Sequence, residues 1–389
     1  MDFSLSDDQR AILDAAGKLA QSFTEEYWQK VDTDVRFPKE YWHALRDHGM
    51  LGISVPEAYG GLGRGLLDLT LCAEALSNSP GGMAGGGVFV AGPVFGGFMF
   101  LRHGTAAQKE KYLPGIVRGD IWAGAFTEAN AGSNVSDIKT SAKHVDGTYI
   151  IRGQKMFISN LASAQHVVIS ARTGAREDAK KTQGVSVLIA DLPSLQLNAN
   201  PFRKLGTHWM DTSAVFIDDL TVPDDQVIGE AGNAWTALYD VLNPERIVLA
   251  ASAVGACLWL VRRAAEYTMQ RKIWRGTPLG AHQAVQFPLA EAKIMLDAAR
   301  LKVYEAAWLY DQQSSRCGVA AASAKYSAAH AAITASDRAL QAFGGAGYIV
   351  ESGIERHWRD LRLNRIAPVT DEMALGFIGQ HDLGMPRSY

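Results

Sequence analysis

The sequence predicts an α+β protein with an N-terminal helical domain, a middle antiparallel β domain and a C-terminal helical bundle. Apolar residues recur at helical spacing over roughly the first 115 residues, and the period changes to two from Val145. Long alanine-rich helical patterns return after Gly232. Helices and strands that are segregated along the chain are typical of α+β architecture, and 389 residues suffice for two or three domains. We place these domains at residues 1–118, 119–230 and 231–389.

The first helix is marked by a capping box, because Ser6 precedes Gln9 by three residues and an apolar helical pattern follows. In the middle region, Asp146-Gly147 has the composition of a tight hairpin turn. The other predicted helices cover 39–49, 67–76, 85–101, 106–116, 234–267, 283–310 and 319–343, and the predicted strands cover 148–151, 155–159, 166–172, 185–189 and 214–217.

Composition argues against several classes of protein. The 38 Lys and Arg residues nearly balance the 41 Asp and Glu residues, which argues against a nucleic-acid-binding surface. The three cysteines form no CxxC pair, so we expect no metal site and a reducing compartment. The longest apolar stretch, 88–101, is interrupted by glycines and Pro93 and predicts no membrane insertion. Because residues Met1 to Ser4 show no signal or transit pattern, we expect a cytoplasmic protein.

The most readily recognised enzyme motifs are missing from the sequence. Neither glycine-rich stretch, 81–87 or 344–347, has GxGxxG spacing after a parallel strand, which disfavours a Rossmann nicotinamide enzyme. HExxH, GxSxG and P-loop patterns are also absent. The chemistry must therefore come from less common motifs.

Two candidate segments flank the start of the β region. Residues 125–134 are rich in small and hydroxyl-bearing side chains, so their backbone N–H groups could approach a carbonyl- or phosphate-rich ligand. An ordinary domain linker would have the same composition. Residues 153–160 form a strand that ends in aromatic, aliphatic and hydroxyl side chains, which a buried edge strand would also explain.

Two further segments lie in the C-terminal region. Residues 270–283 place cationic and aromatic side chains around a Gly/Pro loop, which is also typical of a solvated helix end. Residues 341–348 contain three glycines within four positions and are followed by Arg359-Asp360. These glycines could admit a pyrophosphate or simply end a helix.

Taken together, these four segments resemble the acyl-CoA dehydrogenase family over almost the whole chain. The resemblance extends to segments 55–61, 204–206, 218–223 and 228–230. It implies an FAD enzyme with a C-terminal four-helix bundle, usually assembled as a homotetramer. The implied reaction converts an acyl-CoA thioester to a trans-2-enoyl-CoA and passes electrons to an electron-transferring flavoprotein.

The resemblance also implies roles for individual residues. Phe157, Ile158 and Ser159 would lie against the flavin ring, while Ser133 and Arg246 would contact the substrate. Arg271 and its neighbours would hold the pyrophosphate and adenosine across a subunit boundary. The positions implied to bind FAD are Phe126, Thr127, Gly132, Ser133, Phe157, Ile158, Ser159, Arg271, Trp274, Gln283, Gln341, Gly344, Gly345, Thr370 and Glu372.

The family reaction needs a carboxylate that removes the α-proton of the substrate. Many members carry this Glu in the C-terminal motif, where this chain has Pro368, which takes no proton and offers no backbone N–H to the thioester oxygen. Isovaleryl-CoA and long-chain acyl-CoA dehydrogenases carry it on a bundle helix, where this chain has Glu245. The resemblance therefore implies that Glu245 is the base. Without the resemblance, the sequence would suggest that Glu245 is an exposed glutamate in the first turn of a helix that begins after Pro244.

Other functions stay open at this point. Pro368 motivates the same fold and flavin with different chemistry, as in desulfinases, flavin monooxygenases or oxidases. A vestigial site would leave a non-enzymatic acyl-CoA or protein-interaction role. The six glycines within 85–97 predict a roomy acyl cavity and a preference for branched, cyclic or medium-to-long acyl groups, with close helix packing as the alternative.

Overall fold

The computed structural model describes residues 4–174 and 183–387, and of residues 235 and 236 it describes the backbone alone. Residues Met1 to Phe3, on which the expected absence of a signal sequence partly rests, lie outside the described residues. Within the described ranges, the chain runs from a helical region through one β-sheet to a second helical region. This order confirms the predicted α+β fold.

The N-terminal region contains helices α1 to α7, and its first helix begins as predicted. Ser6 Oγ accepts a hydrogen bond from Gln9 N, and Gln9 Oε1 accepts one from Ser6 N, both at 3.1 Å. Helix α2 was missed. The seven helices are Asp7–Gln21, Glu25–Thr33, Lys39–Asp47, Leu66–Ser77, Met83–Gly87, Met99–His103 and Ala106–Arg118.

The continuous helix predicted over 85–101 is wrong. Helix α5 ends at Gly87, and a 3-10 turn follows over Val88–Ala91. Gly92 then takes a non-helical conformation (φ −148°, ψ −83°) before a π-helical turn over Pro93–Phe98 leads into α6. Glycine permits this break, and the following proline cannot donate the hydrogen bond that would bridge it.

The middle region is one mixed sheet in the order β6-β7-β3-β2-β4-β5-β8, with β1 paired to β4. Its pairs are antiparallel except β1 with β4 and a single β2–β4 contact, which are parallel. The predicted hairpin is confirmed, because Asp146 (φ 47°) and Gly147 (φ 79°) connect β2 to β3. The strands are Trp122–Ala125, Ser141–Val145, Thr148–Ser159, His166–Arg172, Val185–Asp191, Leu197–Pro201, Thr212–Pro223 and Val227–Ile228.

The C-terminal region is built on three long helices, α8 to α10, which pack on one another, while the later helix α13 packs on α10 and helix α4 of the N-terminal region packs on α8 and α9. Leu69 of α4, Val254 of α8 and Ala328 of α10 belong to one buried apolar cluster. The bundle therefore shares its core with the N-terminal helices. Helices α8 to α13 are Trp235–Gln270, Gln283–Asp311, Cys317–Phe343, Gly345–Tyr348, Ile354–Arg362 and Asp371–His381.

Two segments, Met83–His103 and Ala237–Gln270, are long and apolar enough to cross a membrane by length and composition. Both are longer than 88–101, so that stretch is not the longest apolar one in the chain. Inside the fold, however, 83% and 78% of their apolar windows are buried. Core helices of a soluble protein have the same character.

Candidate active site

Glu245 lies inside the long helix α8, directly after a proline. Pro244 has no N–H to donate to the Asp240 carbonyl one turn earlier, and Tyr310 Oη lies 3.5 Å from that oxygen instead. The helix already begins at Trp235, so Glu245 is not in its first turn. Only 9% of Glu245 is exposed. The alternative of an exposed first-turn glutamate is therefore wrong.

Burial changes the acidity of Glu245. Removal from water raises the pKa of its carboxyl to about 7, although the positive charge of Arg246 lowers it. Within the described part of the chain, this carboxylate makes no hydrogen bond or ion pair with another residue. A carboxyl with a pKa near 7 and unengaged lone pairs can accept a proton from a weak carbon acid.

Arg246 adds a buried cation beside this carboxyl. Its Nη1 donates to Asn243 Oδ1 at 3.1 Å, and its Nε has no partner among the described residues. A guanidinium that keeps a spare donor in a buried position can hold a ligand oxygen. The geometry thus fits a substrate-binding role next to Glu245.

The segment before α13 contains the other position at which the family carries its base. Pro368 brings neither a carboxyl nor a backbone N–H to this position. Thr370 caps α13 with its hydroxyl oxygen, which accepts from the backbone of the first turn. The next residue, Asp371, is buried and binds Lys325 at 3.0 Å and Arg365 at 2.6 Å. These contacts fix the segment against the bundle.

Five residues of the middle domain form what we call the flavin end of the site: Phe126, Thr127, Phe157, Ile158 and Ser159. Met156 N donates to Thr127 O at 2.8 Å, which brings the loop after β1 against strand β3. Phe157 lies in an irregularity of the β3–β7 pairing with φ 61° and is 63% exposed. An aromatic ring this exposed leaves a flat apolar surface for a ligand to cover.

A buried ion pair, which the sequence analysis missed, underlies the flavin end. Lys155 Nζ lies 2.9 Å from Glu128 Oε1 and 3.1 Å from Phe126 O, and Lys155 is fully buried. Burial raises the pKa of the Glu128 carboxyl, but Lys155 and the N–H of Lys139 outweigh it, so the net pKa is lowered. A charged side chain inside the strand pattern of 153–160 is the signal that could have indicated this pair.

Six residues at one end of the bundle form what we call the adenosine end. Tyr267 of α8 stacks on Phe343 of α10, with ring centroids 4.5 Å apart, so the chain after Tyr267 and the chain after Phe343 lie close together. All six residues are exposed, Trp274 to 80%. They are Arg271, Trp274, Gln283, Gln341, Gly344 and Gly345.

The remaining cofactor and substrate candidates are also exposed. Gly132 and Ser133 lie in the loop after β1, and Glu372 lies in the first turn of α13. A Cβ added to Gly132 would meet nothing within 4 Å. These positions are open to a ligand.

The glycines within 85–97 mostly serve helix packing and not a cavity. A Cβ on Gly85 would lie 2.4 Å from Leu76 O, and one on Gly86 would lie 2.3 Å from Ala73 O. Gly92 and Gly96 face tryptophan rings closely. Only Gly97, although buried, would meet nothing within 4 Å. The prediction of a cavity from all six glycines is therefore wrong, and Gly97 alone keeps open space.

The helical–β–helical order is that of the acyl-CoA dehydrogenase fold. Three family models match the chain: the N-terminal domain over residues 6–120, the middle domain over 123–220 and the C-terminal domain over 232–383. The chain belongs to the acyl-CoA dehydrogenase family and is an oxidoreductase.

Relatives match along the entire chain. Acyl-CoA dehydrogenase FadE12 of Mycobacterium tuberculosis is 35% identical over 395 residues, covering 100% of this chain and 99% of the relative. Butyryl-CoA dehydrogenase of Megasphaera elsdenii is 31% identical with a TM-score of 0.91, covering 98% and 100% of the two chains. The FAD complex of PigA is 28% identical with a TM-score of 0.92, covering 99% of each.

FAD is the cofactor of this family, and the residues present fit it. The exposed ring of Phe157 offers a surface for a flat ring system. Gly344 has φ 61°, and added Cβ atoms on Gly344 and Gly345 would meet nothing within 4 Å, so a ligand can approach the backbone there. Exposed Arg271 offers the paired donors that suit a pyrophosphate.

Proposed function

We propose that the protein catalyses FAD-dependent α,β-dehydrogenation of an acyl-CoA thioester to a trans-2-enoyl-CoA. Bound FAD supplies the acceptor for the β-hydride. The observation that carries the proposal is Glu245, a buried carboxyl without a partner among the described residues and with a pKa raised to about 7. Both the family membership and the sequences of FadE12 and butyryl-CoA dehydrogenase support an acyl-CoA substrate.

In this proposal Glu245 takes the α-proton of the thioester. Its low hydration keeps the carboxylate basic, and Arg246 beside it limits the cost of the negative charge. With this assignment we propose that the enzyme belongs to the same subgroup as the isovaleryl-CoA and long-chain acyl-CoA dehydrogenases. Because Pro368 lacks an N–H, the thioester oxygen needs another donor, for which we propose the backbone amide of Val369.

We propose a homotetramer in which a second copy completes the adenosine end. The six residues of that end are exposed, as a site that awaits a neighbour requires. Helix α9 also presents an apolar stripe at seven-residue spacing, whose members are 52–69% exposed. Such a stripe on one helix face is typical of an interface. Its residues are Phe287, Ile294, Leu301 and Trp308.

We propose the cytoplasm as the compartment and an electron-transferring flavoprotein as the acceptor, and we keep 1–118, 119–230 and 231–389 as the domain boundaries. For the acyl group, the open space at Gly97 supports branched, cyclic or medium-to-long chains over butyryl. A different chemistry on the same flavin, as in desulfinases, monooxygenases or oxidases, is the second candidate, and Pro368 is the observation that favours it.

The experiment is an anaerobic screen of the holoenzyme with butyryl-, octanoyl- and isovaleryl-CoA and an artificial electron acceptor. Before the acceptor is added we expect bleaching of the flavin. During turnover with the acceptor we expect one enoyl-CoA for each electron pair transferred, with kcat/KM highest for octanoyl- or isovaleryl-CoA. No bleaching with any thioester would favour the second candidate. A clear maximum at butyryl-CoA would keep the reaction but contradict the proposed acyl preference.

A further inference from the structure

Lys204 is a half-buried lysine in the segment between β6 and β7. Its Nζ donates to Thr207 O at 2.8 Å, to Met210 O at 2.6 Å and to Thr212 Oγ1 at 3.1 Å. Within the described part of the chain it makes no ion pair. Burial lowers the pKa of Lys204 to about 8, against the raising influence of Asp360 and Asp211. A fourth oxygen, Thr207 Oγ1, lies 3.3 Å from Nζ. Because all four oxygens belong to residues 207–212, the ammonium ties this short segment together.

One of these contacts leads to the flavin end. Thr212 is buried, and its Oγ1 lies 3.3 Å from Ser159 Oγ. An ammonium has donors and no acceptor, so Thr212 Oγ1 accepts from Lys204. Accepting a charge-assisted bond polarises the Thr212 hydroxyl as a donor toward Ser159. A Thr212 hydroxyl that donates in this direction makes Ser159 Oγ the acceptor and leaves the Ser159 proton for a partner on its other side.

The Lys204 segment is also fixed from outside. Arg359 Nη1 donates to Leu205 O at 3.1 Å, and Thr207 N donates to Asp360 Oδ1. Arg359 in turn binds Asp32 of α2 at 2.7 Å. Arg359 and Asp360 of α12, together with Asp32 of the N-terminal domain, thus hold this middle-domain segment in place. This contact gives Arg359-Asp360, which is not among the proposed FAD-binding residues, a structural role.

We propose that Lys204 is a positioning residue that acts through Thr212 to orient the Ser159 hydroxyl, so that its proton is directed at the bound cofactor. The inference rests on the cofactor-facing role proposed for Ser159. It adds a directional hydrogen-bond chain from Lys204 to Thr212 to Ser159. These hydrogen bonds orient the Ser159 hydroxyl, and Lys204 does not need to contact FAD.

The test is a double-mutant cycle on FAD affinity, measured by titrating apoprotein with FAD, together with the visible spectrum of the bound flavin. We expect Ser159→Ala to weaken FAD binding by about 3- to 10-fold, as the loss of one hydrogen bond does. Lys204→Met should cause a similar loss and a similar spectral change. The double variant should bind FAD with about the affinity of the more impaired single variant, because both changes remove the same hydrogen bond.

Matched controls keep the outcome interpretable. Lys18→Met removes an exposed ammonium and should change neither readout. Should Lys204→Met fail to fold, Thr212→Val removes only the connecting hydroxyl and should reproduce the effect of Ser159→Ala. Losses that multiply in the double variant would overturn the proposal, and so would unchanged FAD binding in Ser159→Ala. No acyl-CoA is used, so failure here is distinct from failure of the proposed dehydrogenation.

Discussion

The two ends of the candidate FAD site are built in different ways. At the flavin end, a fully buried Lys155 binds Glu128 and the Phe126 carbonyl, so the chain itself fixes the loop and strand that carry the site. At the adenosine end, Arg271 and its five partners are exposed. This difference supports our proposal that the flavin end is complete within a single chain, whereas the adenosine end is completed by a second copy.

The largest effect is expected at the flavin end. Lys155→Met leaves the Glu128 carboxylate buried without its cation, which should lower the free energy of unfolding by about 3–5 kcal/mol. Arg152→Met, three residues earlier, removes an exposed partner of Asp219 and should change stability little. Urea denaturation of both variants measures the difference. Equal, small losses would show that the pair does not hold this end together.

The buried carboxyl of Glu245, our proposed base, should carry a stability cost that depends on pH. The pKa of Glu245 is raised from 4.5 to about 7, so the stability that its protonated form contributes is complete below pH 4.5 and is lost as pH rises through about 7. Between pH 5 and pH 8 the wild type should therefore lose on the order of 3 kcal/mol of its free energy of unfolding relative to Glu245→Gln, whose amide does not titrate. Denaturation at both pH values tests this. The exposed Glu291→Gln should show no such trend.

At the adenosine end, the expected effect is on the ligand and not on the fold. Arg271→Met should weaken FAD binding by about 10- to 100-fold, as loss of a charged hydrogen bond does, and leave the melting temperature of the apoprotein unchanged. Arg275→Met, on the same exposed loop, is the control and should bind FAD normally. FAD titration of apoprotein reads out both variants. If Arg275→Met weakened FAD binding as much as Arg271→Met, the loss of affinity would reflect the overall positive charge of the loop and not a specific contact of Arg271.

The smallest change is expected from the apolar stripe of α9. Ile294→Glu should shift the sedimentation equilibrium from tetramer to smaller species and promote flavin release on dilution, because the adenosine end then loses its partner. Leu195→Glu, at a fully exposed apolar residue of the middle domain, should alter neither property. A monomer that retains FAD tightly would contradict the shared adenosine end.

Local patterns allowed much of the fold to be predicted. Strand β4 occupies the predicted residues 166–172, and the capping box at Ser6 and the turn at Asp146-Gly147 form as expected. Each of these depends on neighbours within a few residues. Short strands such as β1 and β8, whose place is set by pairing with distant strands, were missed.

The site was less predictable because its contacts are distant in sequence. Lys155 and Glu128 are 27 residues apart, and although a lysine inside a strand pattern hints at a buried charge, nothing in the sequence identifies Glu128 as its partner. The glycines within 85–97 could not be interpreted from the sequence for the same reason. Gly86 packs closely against another helix whereas Gly97 has open space beside it, and only the folded structure shows which neighbours each one has. Glu245 becomes a candidate base only through the family resemblance, because its position after Pro244 alone suggests an exposed helix start.

The most direct test of the account is anaerobic stopped-flow reduction of the flavin by an acyl-CoA in wild type and Glu245→Gln. Glutamine keeps the volume of the side chain but cannot take the α-proton, so we expect FAD to stay bound while flavin bleaching becomes at least about 10²-fold slower. Photoreduction of the same flavin should proceed normally and serves as the control. Bleaching of the variant at near wild-type rate would show that another group removes the proton.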